Sequence, residues 1–284
     1  MSANDLASRV LLWYTEQLPW HRGKARVVQA VKKTFHLHKE GDQQVTRLGL
    51  RWVLNPVDYG EGHLFWVGSY DIWERHHIER LLPKDPVVFD IGTNYGLYSL
   101  TLADHLGPTA IVHCFEPNPV TYDRLARNIS LNHMRNLYPH KLGLGDWVGT
   151  ASLVTNNETN SGATSLAEGQ GTVITTLDRF CEESNIQRID FMKVDVEGFE
   201  PRLLKGGRKT LERFKPMMQF ELNAPVLKHA GSSAEEVRDM LKSLGYEFYL
   251  FERERLVPMK SLPDEPDYLI NCLCVNSRNR PAGL

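Results

Sequence analysis

The chain has 284 residues, of which 42% are hydrophobic and 24% charged, proportions that suit one large α/β domain with a small appendage and a core that closes without disulfide or metal staples. A formal net charge of −2 excludes a general electrostatic attractor for nucleic acid. No stretch approaches the roughly 20 apolar residues of a membrane span, and no apolar run near the N-terminus suits a signal peptide, so a cytoplasmic protein that engages neither nucleic acid nor membrane is expected.

In chain order, Asp5 to Leu18 reads as an amphipathic helix stopped by Pro19, and Val27 to Phe35 as a second short helix. Val45 to Asn55 has the alternation of a strand or hairpin arm, and His63 to Val67 reads as another strand. Gly68-Ser69-Tyr70-Asp71 then turns into a helix from Ile72 to Leu82. Residues 1–82 thus form an N-terminal helical and β-hairpin extension, a candidate acceptor-binding or oligomerisation cap, and residues 83–284 the main domain. From Val87 strands and helices alternate, the sign of a parallel sheet with covering helices. The expected strands are Val87 to Phe89, Ala110 to Phe115, Tyr138 to Leu144, Ile189 to Val194, Met217 to Leu222, Glu247 to Phe251 and Tyr268 to Val275. The expected helices between them are Tyr98 to Leu106, Pro119 to Asn132, Glu200 to Phe214 and Ala234 to Leu244. The polar segment Thr155 to Gly171 reads as a loop near the pocket. Cys114, Cys181, Cys272 and Cys274 show neither C-x-x-C pairing nor zinc spacing; Cys272 and Cys274 fall on one face of a strand as buried thiols.

The chemistry concentrates at strand ends. Asp90-Ile91-Gly92-Thr93-Asn94-Tyr95-Gly96 follows an apolar strand and opens a helix, a place where glycines let a ligand approach the backbone. The middle glycine of G-x-G-x-x-G is absent, and Asp90 at the strand tip would repel a pyrophosphate. That pattern suits a ligand with a cationic amino group and a sulfonium, S-adenosylmethionine, over a nicotinamide dinucleotide. The next strand runs into Phe115-Glu116-Pro117-Asn118, and Glu116 lies 20 residues beyond Gly96, the separation at which an acid accepts both ribose hydroxyls. A surface carboxylate before a proline turn is the plainer alternative. In Gly143-Leu144-Gly145-Asp146, Asp146 either accepts the adenine amino hydrogen or caps a turn.

Lys193-Val194-Asp195-Val196-Glu197-Gly198-Phe199-Glu200 ends the fourth strand, and alternation places Lys193, Asp195 and Glu197 on one face. Either Lys193 pairs structurally with a carboxylate, or Asp195 or Glu197 takes a hydroxyl proton from a methyl acceptor. Glu200 suits its helix N-terminus. Glu221, ending the fifth strand, would orient the acceptor or bind a divalent cation with Asp195; no dense ligand cluster is visible, so no metal site is assigned. His229 follows the fifth strand and is the histidine placed nearest a substrate. Trp13, Trp20, Trp52, Trp66 and Trp73 either stack on sugar rings or belong to the core.

An ordered set of these pieces resembles the FkbM-type methyltransferases from about Leu54 to Asn223. The matching pieces are Leu54-Asn55-Pro56-Val57-Asp58, Gly68-Ser69-Tyr70-Asp71, the Asp90 to Gly96 turn, Phe115-Glu116-Pro117-Asn118, Thr176-Leu177-Asp178 and the Lys193 to Glu200 segment. Thr93 stands where the family often has Ala, and Asp71 where it often has Glu; the first 45 residues match nothing named. The resemblance implies a Rossmann-like class I methyltransferase fold, with a seven-stranded, mostly parallel sheet, its last strand antiparallel and helices on both faces. It also implies methyl transfer from S-adenosylmethionine to an oxygen, often of a sugar or a natural product. Cofactor-binding residues are then Asp90, Gly92, Asn94, Gly96, Glu116, Pro117, Asn118, Gly145, Asp146 and Asp195, with Asp195, Glu197 and Glu221 as catalytic candidates. A carbohydrate acceptor leads; a non-sugar metabolite, a nicotinamide-dependent oxidoreductase and a non-catalytic cofactor-binding protein are the alternatives, and a homo-oligomer is compatible with all four.

Overall fold

The computed structural model describes residues 3–18, 23–68, 72–155, 164–281 and 284. Pro19, Trp20 and the Ser69-Tyr70-Asp71 part of the expected turn lie outside the described residues. The chain opens with helices α1 (Ala3–Gln17) and α2 (Lys24–Thr34), a hairpin of β1 (Gln43–Arg47) and β2 (Leu50–Leu54), then α3 (Tyr59–Val67) and α4 (Ile72–Leu81). The repeating part follows as β3 (Val87–Ile91), α5 (Leu97–Leu106), β4 (Ile111–Phe115), α6 (Pro119–Leu131) and β5 (Leu137–His140). Four strands then leave the main sheet: β6 (Gly143–Gly145), β7 (Gly149–Thr155), β8 (Thr164–Glu168) and β9 (Thr172–Thr176). The chain returns through α7 (Leu177–Glu183), β10 (Phe191–Val194), α8 (Glu200–Gly206), α9 (Arg208–Phe214), β11 (Met217–Asn223), α10 (Ala224–His229) and α11 (Ala234–Ser243). It ends with β12 (Tyr246–Phe251), β13 (Leu256–Pro258) and β14 (Leu269–Asn276).

The main sheet has eight strands in the order β13-β12-β14-β11-β10-β3-β4-β5. Neighbours from β11 to β5 pair in parallel, and β14 inserts antiparallel between β11 and β12. The expected seven strands and the antiparallel last strand are present; the short β13 adds the eighth. Alternation along the strands feeds two cores. Val88, Val112, Phe191 and Met217 face α5, α6 and the N-terminal segment, while Phe89, Ile91, Met192 and Met218 face α7, α8, α9 and α11.

Local signals explain the helix boundaries. Asn118 accepts from Val120 N–H and Pro119 opens α6, while Ser233 accepts from Glu236 N–H at the start of α11. Three expected elements take other forms. His63 to Val67 is helical: Asp58 caps α3 by accepting from Glu61 N–H, and Glu61, Gly62, Leu64, Phe65, Trp66 and Val67 are all buried. A helix buried on nearly every side shows no apolar stripe, so its period is silent. Tyr138 to Leu144 is two strands in two sheets, because Gly143–Gly145 pairs with β9 and not with β4. The expected Glu200 to Phe214 helix breaks at Gly206-Gly207, where a Cβ on Gly206 would lie 1.9 Å from the Gly145 carbonyl oxygen. The described ends of the Thr155 to Gly171 segment are an antiparallel hairpin of β7 and β8.

The extension shares the first core with the sheet: Leu11, Val28 and Trp52 cluster with Val88 and Leu100. Polar ties reinforce it. Asn128 of α6 accepts from Val53 N–H and donates to the Tyr95 carbonyl, and Arg124 bridges Asp42 and the buried Glu61. Arg47, 1% exposed, donates to the Phe65 carbonyl at 2.8 and 3.0 Å and to Thr15 Oγ1 at 3.2 Å. Replacing Arg47 with Met strands those acceptors, so the Arg47→Met protein is expected to lose about 3 kcal/mol in urea unfolding. An unchanged midpoint and slope would show that the guanidinium does not hold α1 and α3 together.

Candidate functional site

The order of the strands places the site. From β3 the chain moves outward to β4 and β5, then crosses back to β10 and β11, so the carboxyl ends of β3 and β10 flank a topological switch point. Gly92 lies just beyond β3 with φ 81°, and a Cβ there would fall 1.7 Å from the Asp195 carbonyl oxygen. Only glycine lets the two loops touch. Asn94, also at positive φ (53°), turns the chain so that its N–H donates to Glu116 Oε2 at 2.7 Å.

A cavity of about 680 Å³, mouth included, opens beside this crossing. One wall is apolar, made by Phe115, Pro117, Leu142, Leu144, Leu166 and Phe199; the other carries Asn94, Glu116, Asn118, Asp195 and Glu197. Its described lining contains no Lys or Arg. Glu116, 6% exposed, accepts Asn94 N–H on one oxygen and Asn118 N–H on the other at 2.9 Å. Burial pushes its carboxyl upward and the two amides pull it back. The Thr121 hydroxyl adds a third stabilising contact to the same carboxylate. Asn94 Oδ1 is buried without a hydrogen-bond partner.

Past Gly92 and Asn94 the space widens into a polar chamber bordered by Tyr59, Lys193, Asp195, Gln219, Glu221 and Asn271. Sheet register sets this chemistry: Asp90, Lys193 and Gln219 are cross-strand neighbours on β3, β10 and β11. Lys193 donates to Asp195 Oδ2 at 2.8 Å and lies 5.1 Å over the Tyr98 ring. Burial alone would lower the Lys193 ammonium; Asp195, Asp90 and Glu221 overcome it and hold the group above its ordinary value. A third space, a groove, lies on the other side, bordered by Trp147, Arg202, Val226 and His229. Glu197 is the one described residue that borders all three spaces. Burial, with Asp195, Glu221 and Glu200 nearby, raises its carboxyl to about 8.

Of the residues expected at the site, Gly92, Asn94, Glu116, Pro117, Asn118, Asp195, Glu197 and Glu221 border these connected spaces. Four do not. Asp90 is 1% exposed and lies behind the lining, its Oδ2 accepting from Ser99 Oγ at 2.6 Å beside the Lys193 ammonium and its Oδ1 without a hydrogen-bond partner. Gly96 starts α5 at φ 99°, where a Cβ would strike Leu100 and Leu125, which makes it a packing glycine. Gly145 packs against Phe199 and the Gly206 backbone, and the Asp146 carboxylate lies 3.6 Å from Arg202. The strand alternation expected through Glu197 stops at Val194; Glu197 sits in a turn at φ 50°. Glu200 does accept from the turn, at Val196 N–H. Residues the sequence left unremarked are Gln219, Asn271, Leu142, Leu166, Trp147 and Arg202, brought in by sheet register and by the second sheet. Trp52 and Trp66 are core, Trp73 lies under Arg253, and Trp13 is exposed. Among the described residues no three His, Cys, Asp or Glu side chains are grouped to hold a metal, and no helix is long and apolar enough to cross a membrane.

The Methyltransferase FkbM domain model matches residues 90–248, more than half of the chain and every strand end described above. The chain belongs to the FkbM methyltransferase family. Three members of known designation are similar to it. Hexuronic acid methyltransferase AglP of Haloferax volcanii is 30% identical over 164 residues, covering 56% of this chain and 62% of that protein. The 2-O-methyltransferase NoeI of Sinorhizobium fredii is 30% identical over 158 residues, 49% of this chain and 64% of its own. Methyltransferase sdnD of Sordaria araneosa is 30% identical over 160 residues, 44% and 61% respectively. The match therefore spans about three fifths of each relative's length.

The carboxyl of Glu197 gives the site a signature in stability. Folded, Glu197 keeps its proton up to about pH 8, whereas unfolded it releases it near its ordinary 4.5. Its contribution is fully present below pH 4.5 and is lost as pH climbs through 8. Glu200 and Glu61, both raised to about 7 chiefly by burial, act in the same direction. Urea stability of the ligand-free protein is expected to fall between these limits, and Glu197→Gln should flatten the upper part of that fall. An identical pH profile for the variant would contradict the buried placement of Glu197.

Proposed function

We propose that the protein is an S-adenosylmethionine-dependent O-methyltransferase that methylates a carbohydrate hydroxyl. The observation that carries the cofactor is the composition of this cavity, where an apolar slot adjoins Glu116 and where no described lysine or arginine stands ready for a phosphate. Its residues fit the molecule. Glu116 presents a carboxylate edge to the ribose hydroxyls, Pro117, Leu142, Leu144 and Phe199 enclose a flat base, and Asn94 Oδ1 has no partner inside the protein. The acidic lining of the adjoining chamber, with Asp195 and Glu221, suits the cationic end. A dinucleotide would place its pyrophosphate beside Asp195 and Glu197, which weighs against a nicotinamide enzyme.

When bound, the cofactor supplies a methyl carbon already made electrophilic by its sulfonium. The chain's task is to position the acceptor and receive a proton. Asp195 is engaged by Lys193 at 2.8 Å, whereas Glu197 borders every space from which an acceptor can approach. Glu197 is thus assigned as the base that takes the hydroxyl proton, Asp195 as a group fixing the crest, and Glu221 as an orienting carboxylate. Two relatives, the hexuronic acid methyltransferase AglP and the 2-O-methyltransferase NoeI, support a sugar oxygen as the acceptor.

Calorimetric titration with S-adenosylhomocysteine should show one site per chain; no heat at millimolar ligand would end this reading. Glu197→Gln is expected to reduce kcat by roughly 10²–10⁴ with the cofactor Kd nearly unchanged. The wild-type rate should rise with pH through an inflection near 8, set by the raised Glu197 carboxyl, and the variant should lack it. A variant that keeps both rate and inflection would remove Glu197 from the chemistry.

A further inference from the structure

The groove beside the cofactor cavity has a different character from the acidic chamber. The Trp147 indole meets the Phe199 ring edge-on, with centroids 5.7 Å apart. The Arg202 guanidinium lies over both, 5.2 Å from Trp147 and 5.5 Å from Phe199. This holds a planar cation in place without using its N–H groups. Its nearest carboxylate, Asp146, is 3.6 Å away, and among the described residues no hydrogen bond engages the guanidinium. The side chain is 45% exposed, on the groove wall with Val226 and His229. The groove shares Leu166, Glu197 and Phe199 with the cofactor cavity, so a molecule lying in it reaches Glu197.

We propose that this groove is the acceptor subsite and that it selects acceptors carrying a carboxylate, namely acidic sugars, through the Arg202 fork. The inference rests on the O-methyltransferase reading and adds the acceptor class. Three facts support it. A guanidinium lying against two rings is already restrained, so a bidentate carboxylate costs less further ordering. The half-exposed indole supplies apolar surface for the ring that bears the carboxylate. The opposite chamber carries Asp195 and Glu221, and the one cation of its described lining, Lys193, is already engaged by Asp195 at 2.8 Å, so a carboxylate placed there finds no free partner. An anionic acceptor is therefore directed to the Arg202 side, with its hydroxyl at Glu197 between the two.

The test uses methyl glucuronoside and methyl glucoside, which differ by the carboxylate alone, titrated into the full chain saturated with S-adenosylhomocysteine. The glucuronoside should bind at least tenfold more tightly. Arg202→Gln should erase that preference, and Arg202→Lys should restore it only in part, with S-adenosylhomocysteine affinity equal in all three proteins. Trp147→Ala should weaken both sugars. Equal affinities in the wild type, a preference that survives Arg202→Gln, or absence of binding by either sugar would overturn the proposal while leaving the cofactor reading intact. Absence of S-adenosylhomocysteine binding would instead overturn the cofactor reading and this proposal with it.

Discussion

One buried ammonium makes the rest of the site possible. Lys193 sits on the central strand β10 with its Nζ among Asp195, Asp90 and Glu221 and above the Tyr98 ring. Three carboxylates gathered at the end of a sheet would repel one another and lose their charge to protonation. A lysine in their midst opposes that, and burial strengthens the attraction because little water screens it. The same pairing divides the labour. The carboxylate that Lys193 holds is fixed in place, while Glu197, two residues on, is left with a raised carboxyl and a face on every adjoining space.

Close backbone contact gives this electrostatic arrangement its shape. Gly92 brings the β3 loop against the Asp195 carbonyl, and Glu116 clamps the neighbouring turns by accepting from Asn94 and Asn118. Glu116 thereby ties the fold together and at the same time borders the cavity. The second sheet leans over this floor. Gly206 packs so tightly on the Gly145 carbonyl that it tolerates no Cβ, which locks β6 to α8 and holds Leu144 and Phe199 at the cavity wall.

The parts legible in the sequence were those governed by short-range rules. Strand alternation, the Asn118-Pro119 helix start and the glycine turn after Asp90 each depend on neighbours within a few residues, and each appears where expected. Glu116 was found by its spacing from Gly96. What escaped depended on long-range register. Asp90 stands at the strand tip as read, but α5 brings Ser99 to it and β10 brings Lys193, so its charge is consumed inside the fold. The electrostatic case against a phosphate survives on Asp195 and on a described cavity lining without lysine or arginine. Asp146 was misplaced because Gly143–Gly145 departs for a second sheet, a partner choice that no local pattern encodes. Gln219 and Trp147 were invisible for the same reason: one gains its place from cross-strand pairing, the other from the return of the small sheet over α8.

The two sides of Glu197 come from different parts of the chain, and that asymmetry bears on how specificity is built. The acidic chamber draws Tyr59 and Gly60 from the N-terminal segment, which lies outside the matched domain. The aromatic groove draws Trp147 and Leu166 from the small sheet, inserted between β5 and β10 inside it. The strand ends themselves contribute Gly92, Glu116 and Asp195, whose positions are fixed by sheet pairing and by one glycine contact. A change in the extension or in the small sheet can therefore reshape one approach to Glu197 without moving the strand ends. A rigid crest with separately supplied walls is a physical arrangement in which cofactor geometry and acceptor choice can vary independently.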